Sequence, residues 1–422
     1  MVYKPCTNYT LFFKTVKSFH HSLPIIFLLG VLLCSFSLPG YAKSDLSKIW
    51  VGTWSTAPQL VEPGNMPPTP GLNDNTLRQV VRVSIGGDSL RIRFSNLFSN
   101  GNVTMKAVKI AVSTGGSTID ASTMKELKFN GMTDITMNPG VTITSDPIPF
   151  NLKPRMDIAI TIYFGQTSSN ITGHPGSRTT SWLLAGDKTS AGDFAGSVPT
   201  DHWYFINGID VKAPESANAI AILGNSITDG RGSDTNKQNR WTDILSERLL
   251  KNPGTSQVAV LNLGIGGNCV FSGGLGPTGV SRYERDILHQ AGVRFAVVFI
   301  GVNDIGRVRS AADATATANN LISAFKLWIK NAHAKNIKIY GATITPFHGN
   351  SYYNQYSDLC RNKVNTWIRS KGNYDGLIDF DRSLRSISDT TRLVSTYQND
   401  GLHPTAKEYV KMGQSVDLKL FE

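Results

Sequence analysis

Between residues 77 and 164 apolar and polar positions mostly alternate, the two-residue period of half-buried strands. Val81, Val83 and Ile85 share one face. Gly86-Gly87-Asp88 then interrupts, and Leu90, Ile92 and Phe94 resume the alternation, so the spacing predicts a hairpin closed by a glycine turn. Ile158, Ile160, Ile162 and Phe164 repeat the pattern, and turn-rich stretches at 96–102 and 113–117 separate the segments. Residues 48–208 are therefore predicted to form an antiparallel β-sandwich domain. No catalytic signature stands out within it.

From Ala219 the rhythm changes to short apolar runs followed by longer helical stretches. Strands are predicted at 219–223, 258–263, 295–300, 337–342 and 377–380, with helical spacing at 241–250, 284–290, 311–334 and 358–370. This alternation predicts an α/β fold, a doubly wound parallel sheet of the flavodoxin-like kind, over a second domain at 214–422. In such sheets ligands collect beyond the carboxyl ends of the strands, so functional residues are expected just after strands.

The first 42 residues follow neither pattern. Lys4, Lys14 and Lys17 precede an apolar run at 23–38, no acidic residue occurs before Asp45, and Gly40-Tyr41-Ala42 supplies small residues where a signal peptidase reads them. Residues 1–42 are predicted to be a signal peptide cleaved after Ala42, making the protein secreted or periplasmic. A retained anchor is disfavoured because Ser35, Ser37 and Pro39 break a run shorter than the roughly 20 residues needed to span a bilayer. A lipid-anchored form at Cys34 is disfavoured by the bulky Leu33 before it.

Composition narrows the function classes. With 40% hydrophobic and 17% charged residues the chain is neither disordered nor polytopic. Its net charge is +11, of which the three leader lysines carry part, and no run of five or six like charges suggests nucleic acid as a partner. Beyond the leader only Cys269 and Cys360 remain, free to pair or to stay reduced. Neither has a second ligand at zinc-site spacing, so no metal and no cofactor is expected.

Four segments carry candidate chemistry. After the first parallel strand stands Gly224-Asn225-Ser226-Ile227-Thr228-Asp229-Gly230, a glycine-bounded turn that presents a serine. After the second stands Asn262-Leu263-Gly264-Ile265-Gly266-Gly267-Asn268, whose glycines let backbone N–H groups approach a ligand. Gly301-Val302-Asn303-Asp304 follows the third. Near the C-terminus, Asp400-Gly401-Leu402-His403-Pro404 sets an acid and a histidine three residues apart.

These segments, in this order, resemble the blocks of the SGNH (GDSL-type) hydrolases over residues 219–416. The resemblance implies a nucleophile at Ser226, a base at His403 oriented by Asp400, and an oxyanion hole built from Ser226, Gly267 and Asn303. One departure is Asn225, where the family usually has aspartate; asparagine can still accept a hydrogen bond in the turn but contributes no charge. The chemistry is coherent on its own terms. A serine hydroxyl needs an adjacent base, imidazole suits that task near neutral pH, a carboxylate fixes its tautomer, and convergent N–H donors stabilise the tetrahedral oxyanion. Asp400 is expected to raise the pKa of His403 above its ordinary value. Asp229, Asp304, Asp379 and Asp381 are expected to be capping or solvated residues, and His174, His202 and His289 to have no role. Trp182 and Trp203 are expected to pack in the core.

Trp50-Val51-Gly52-Thr53-Trp54-Ser55, together with Gly301-Val302-Asn303-Asp304-Ile305-Gly306, is similar to a two-domain bacterial branch described as xylan-esterase-like. That likeness implies a serine esterase acting on O-acetyl groups of carbohydrate, with an acylated carbohydrate or other small ester as its partner. Two other functions remain open: a lipase, lysophospholipase or thioesterase using longer acyl chains, and a non-catalytic carbohydrate-binding protein.

Overall fold

The computed structural model describes residues 47–395 and 400–422. The leader at 1–42, its cleavage point after Ala42, Cys6 and Cys34 lie outside the described residues.

Residues 48–214 build two antiparallel sheets. One orders Lys48–Ser55, Ile206–Pro214, Gly87–Ser95 and Thr142–Thr144, with Ile148–Leu152 also paired to Gly87–Ser95. The other orders Val198–Thr200, Ser181–Ala185, Asn75–Arg82, Asp157–Phe164, Val103–Gly115 and Thr118–Glu126, with Ile135–Met137 also paired to Val103–Gly115. Between them lie the alternating residues that the pattern marked: Val81, Leu90, Ile92, Phe94, Ile158, Ile160, Ile162 and Phe164 are all fully buried. A small third sheet, Trp203–Tyr204, Thr172–His174 and Gln59–Leu60, turns the chain toward the rest of the protein.

The hairpin expected around Gly86-Gly87 does not form. Asn75–Arg82 pairs with Asp157–Phe164 and Ser181–Ala185, whereas Gly87–Ser95 pairs in the other sheet with Ile206–Pro214. The chain crosses between sheets there, and the glycines serve close approach rather than a tight turn. A Cβ on Gly86 would stand 2.3 Å from the Leu152 carbonyl oxygen, and one on Gly87 2.2 Å from that of Lys212.

After residues 215–217 the parallel sheet begins. Its order is Val258–Gly264, Asn218–Gly224, Val293–Phe299, Lys338–Ala342, Gly376–Ile378, all parallel, so sequence order runs 2-1-3-4-5 as in flavodoxin-like folds. Residues 219–223 are wholly buried, as a strand covered on both faces requires. Trp241–Lys251 packs on Val258–Gly264 and on Ala406–Ser415, and Ala311–His333 packs on Gln355–Arg369 and Lys338–Ala342. Between strands two and three, Gly279–Tyr283 is α-helical and Glu284–Leu288 continues as a π turn.

The sandwich rests directly on the parallel-sheet layer. Gly52 N–H donates to the Ala291 carbonyl at 2.8 Å and Ser84 Oγ to the Val260 carbonyl at 2.9 Å. Cys269 and Cys360 are both buried and free. No helix among the described residues is long and apolar enough to cross a membrane.

Candidate active site

The strand order reverses direction between Asn218–Gly224 and Val293–Phe299, and the four sequence segments gather at the carboxyl ends there. Immediately after the first strand, Ser226–Asp229 forms one helical turn. Asn225 caps it: its side-chain oxygen accepts from Ile227 N–H at 3.0 Å, so the residue that replaces the usual aspartate still holds the turn. Ser226 Oγ lies 2.9 Å from His403 Nε2, and His403 Nδ1 lies 2.7 Å from Asp400 Oδ2. The second carboxylate oxygen of Asp400 accepts from the backbone N–H groups of His403 at 2.8 Å and Leu402 at 3.0 Å. The acid is thereby fixed on both oxygens, and with it the ring that it faces.

Gly267 takes φ +65°, a backbone that an L side chain rarely adopts, and its N–H and that of Ser226 donate to no acceptor among the described residues. Asn303, in the short helix Val302–Ile305, is held at both ends of its amide. Its Nδ2 donates to the Asn268 carbonyl at 2.8 Å, and its Oδ1 accepts from the Tyr352 hydroxyl at 3.1 Å. One amide hydrogen is left over. Asp304 binds the neighbouring loop, accepting from Val270 N–H at 2.9 Å, so the segments after strands two and three are tied together.

His403 is 8% exposed. Burial pushes its imidazole below the ordinary value, Asp400 opposes that by hydrogen bond and charge, and Arg231 and Arg178 add to the downward push. The expectation that Asp400 would raise it is therefore corrected: the site is drier than a loop at strand ends suggests, and the charge of two cations acts on the ring. For Asp400 itself, burial acts upward but is outweighed by the hydrogen bonds from His403 and Leu402, which hold it below the usual carboxylate value.

Residues set aside on sequence grounds enter the site. Asp229 is not solvated; it is 3% exposed, and its Oδ1 lies 2.8 Å from His174 Nε2. His174 Nδ1 is 2.9 Å from the Ala57 carbonyl, an acceptor only, so that nitrogen carries a hydrogen. A sandwich histidine thus clamps the far end of the serine turn. Asp379 does cap a helix, accepting from Arg382 N–H, and pairs with Arg369, while Asp381 is buried against Arg361. His202 is half-buried, and His289 is exposed. Trp203 is buried and donates to the Val80 carbonyl.

Ser226 and His403 open on a cavity of about 380 Å³. Gly267 and Asn303 line it from the parallel-sheet side, Gln59, Glu62, Arg178 and His202 from the sandwich side. Among the described residues no group of three or more His, Cys, Asp or Glu could hold a metal ion.

Residues 222–410, which contain the whole constellation, match the model of the GDSL-like lipase/acylhydrolase family. The chain carries a GDSL-like acylhydrolase domain. No curated protein sequence is detectably similar to the chain. Among solved structures, a Corynascus thermopiles (Myceliophthora fergusii) carbohydrate esterase family 2 enzyme with a carbohydrate binding domain is 14% identical over 87% of this chain and 97% of its own, with a TM-score of 0.36. The acetyl xylan esterase AlAXEase is 20% identical over 47% of this chain and 96% of its own, with a TM-score of 0.33. The psychrotrophic esterase EstA from Pseudoalteromonas sp. is 20% identical over 47% and 93%, with a TM-score of 0.34.

Proposed function

We propose that this GDSL-like protein is an exported serine esterase that removes O-acetyl groups from carbohydrate, with residues 214–422 as its catalytic domain and 48–208 as an accessory domain. The observation that carries the reading is the relay Ser226 Oγ, His403 Nε2, His403 Nδ1, Asp400 Oδ2, with contacts of 2.9 and 2.7 Å. Ser226 Oγ attacks the ester carbonyl while His403 takes its proton, and Asp400 stabilises the imidazolium so formed. The backbone N–H groups of Ser226 and Gly267 and the remaining Asn303 amide hydrogen receive the oxyanion. Collapse expels the alcohol, which leaves with the proton from His403, and water then releases the acyl group by the same steps.

A carbohydrate alcohol is supported by the polar lining of the cavity, with Gln59, Glu62, Asn65 and Arg178 on the sandwich side, and by the xylan-esterase-like pattern of the sequence. One observation favours longer acyl chains instead. A groove of about 530 Å³ lined by Leu60, Val61, Pro63, Met66 and Leu275 shares Glu62 and Leu275 with the catalytic cavity. Hydrolysis of 4-nitrophenyl acetate compared with a long-chain 4-nitrophenyl ester, with Ser226→Ala as control, separates the two. A preference for acetate supports the acetylesterase, a preference for the long chain supports the acyl groove, and Ser226-independent turnover removes both.

A further inference from the structure

The arginines of this protein differ in their partners. Arg82, Arg91, Arg240, Arg282, Arg361 and Arg369 each face a carboxylate. Arg178 and Arg231 do not. Among the described residues neither guanidinium has an ion-pair or hydrogen-bond partner, and Arg178 Nε is buried without an acceptor. Both line the cavity of Ser226 and His403.

The carboxylates on that cavity are engaged elsewhere. Glu62 accepts from Gln59 Nε2 at 2.7 Å and from Asn65 Nδ2 at 3.0 Å, and Asp229 faces His174. The two cations differ in cost: Arg231 is exposed and water screens its charge, whereas Arg178 is half-buried and its Nε is a buried donor without an acceptor. They also act against the imidazolium that each catalytic cycle must form on His403. With a neutral substrate those costs persist through turnover. A substrate that brings its own negative charge would satisfy the guanidinium donors, whose fork matches an oxyanion group, and would offset their field at His403.

We propose that Arg178 and Arg231 form an anion subsite, and that the substrates are acylated sugars whose ring also carries an oxyanion group, a carboxylate or a sulfate. This rests on the serine-esterase reading and deepens it by naming the substrate class. Arg178 comes from the sandwich and Arg231 from the loop after the serine turn, so the subsite needs both parts of the chain.

The test measures kcat/KM of the full chain on an acetylated hexuronic acid, an acetylated hexose sulfate, the acetylated neutral hexose and 4-nitrophenyl acetate. One charged sugar should exceed the neutral one by about tenfold or more, the usual scale of hydrogen bonds to charged groups, and the faster of the two names the anion. Arg178→Gln and Arg231→Gln should each reduce that ratio, and Arg231→Lys should restore part of it. Because Arg178→Gln could fail to fold, a second measurement uses the wild type alone: the free uronic acid or the free hexose sulfate should inhibit 4-nitrophenyl acetate hydrolysis competitively, and the free hexose at equal concentration should not. Equal rates on charged and neutral sugars, with 4-nitrophenyl acetate still hydrolysed, would overturn the anion subsite and leave the esterase intact. No hydrolysis of any ester would overturn both.

Discussion

On the parallel-sheet side of the cavity, Ser226, Gly267 and Asn303 each stand within a few residues of a strand's carboxyl end, where the doubly wound fold puts ligands. On the sandwich side, Gln59, Glu62, Arg178 and His202 come from short strands and loops with no common period. In the proposed mechanism the first side carries the bond-making groups; the second carries charge, shape and the His174 clamp on the serine turn. Chemistry is thus concentrated in one layer, while its setting is shared between two. Substitutions on either side test that division.

The largest effect is expected on the parallel-sheet side. Ser226→Ala should lower kcat/KM for 4-nitrophenyl acetate by at least about 10⁴-fold, the scale of losing a nucleophile that acts as a unit with its base. Little apolar area goes with the hydroxyl, so the unfolding midpoint should stay at the wild-type value. A folded variant with near-normal turnover would move the reaction away from this turn altogether. Next in size, Asn303→Ala should reduce kcat by about 10²- to 10³-fold with KM little changed, as for one oxyanion donor. A loss confined to KM would make Asn303 a ground-state contact and weaken the claim that its amide, held by Asn268 and Tyr352, is aimed at developing charge.

How much of this was legible in the sequence follows the same line. Ser226, Gly267, Asn303, Asp400 and His403 could be picked out because each belongs to a short block with glycine or aspartate at fixed offsets, and because parallel strands announce themselves as apolar runs. Gly86-Gly87 misled because a glycine pair that lets two backbones meet reads the same as one that closes a hairpin. His174 and Arg178 gave no signal. The first meets Asp229 across 55 residues, the second acts on a ring 225 residues away in the chain, and neither sits in a periodic segment that would mark its direction. The low pKa of His403 was hidden for the same reason, since burial and remote cations are properties of the assembled layers.

A smaller effect should come from the sandwich side. His174→Ala leaves Asp229 buried without its partner and unpins the end of the serine turn. It should cost about 3–5 kcal/mol in chemical denaturation, the range for breaking a buried ionisable pair, and lower kcat by roughly tenfold to a hundredfold through misplacement of Ser226. Loss of stability with unchanged kcat would restrict His174 to holding the layers together and would sharpen the division between them. His174→Gln, whose amide nitrogen can still donate to the Asp229 carboxylate, should recover part of both.

The smallest effect asks whether charge from the sandwich reaches the base at all. Ester hydrolysis needs His403 neutral in the free enzyme, so kcat/KM on a neutral ester falls on acidification through the pKa of that ring. Burial pushes this pKa down, Asp400 pushes it up, and Arg231 and Arg178 push it down again, with a net position below the ordinary imidazole value of about 6.5. The acidic limb is therefore expected below that value. Arg178→Gln removes a positive charge that disfavours the imidazolium, so the pKa rises and the limb moves to higher pH. Asp400→Asn removes the charge that favours the imidazolium, so the limb moves to lower pH, and the plateau falls because the ring also loses its orienting acceptor. Both limbs are read from the shape of the profile on 4-nitrophenyl acetate, independently of the plateau. Opposite movements would show that the accessory layer tunes the base through space. A limb unmoved in Arg178→Gln but lowered in Asp400→Asn would confine the electrostatics of His403 to the catalytic layer, and the sandwich would then contribute shape alone.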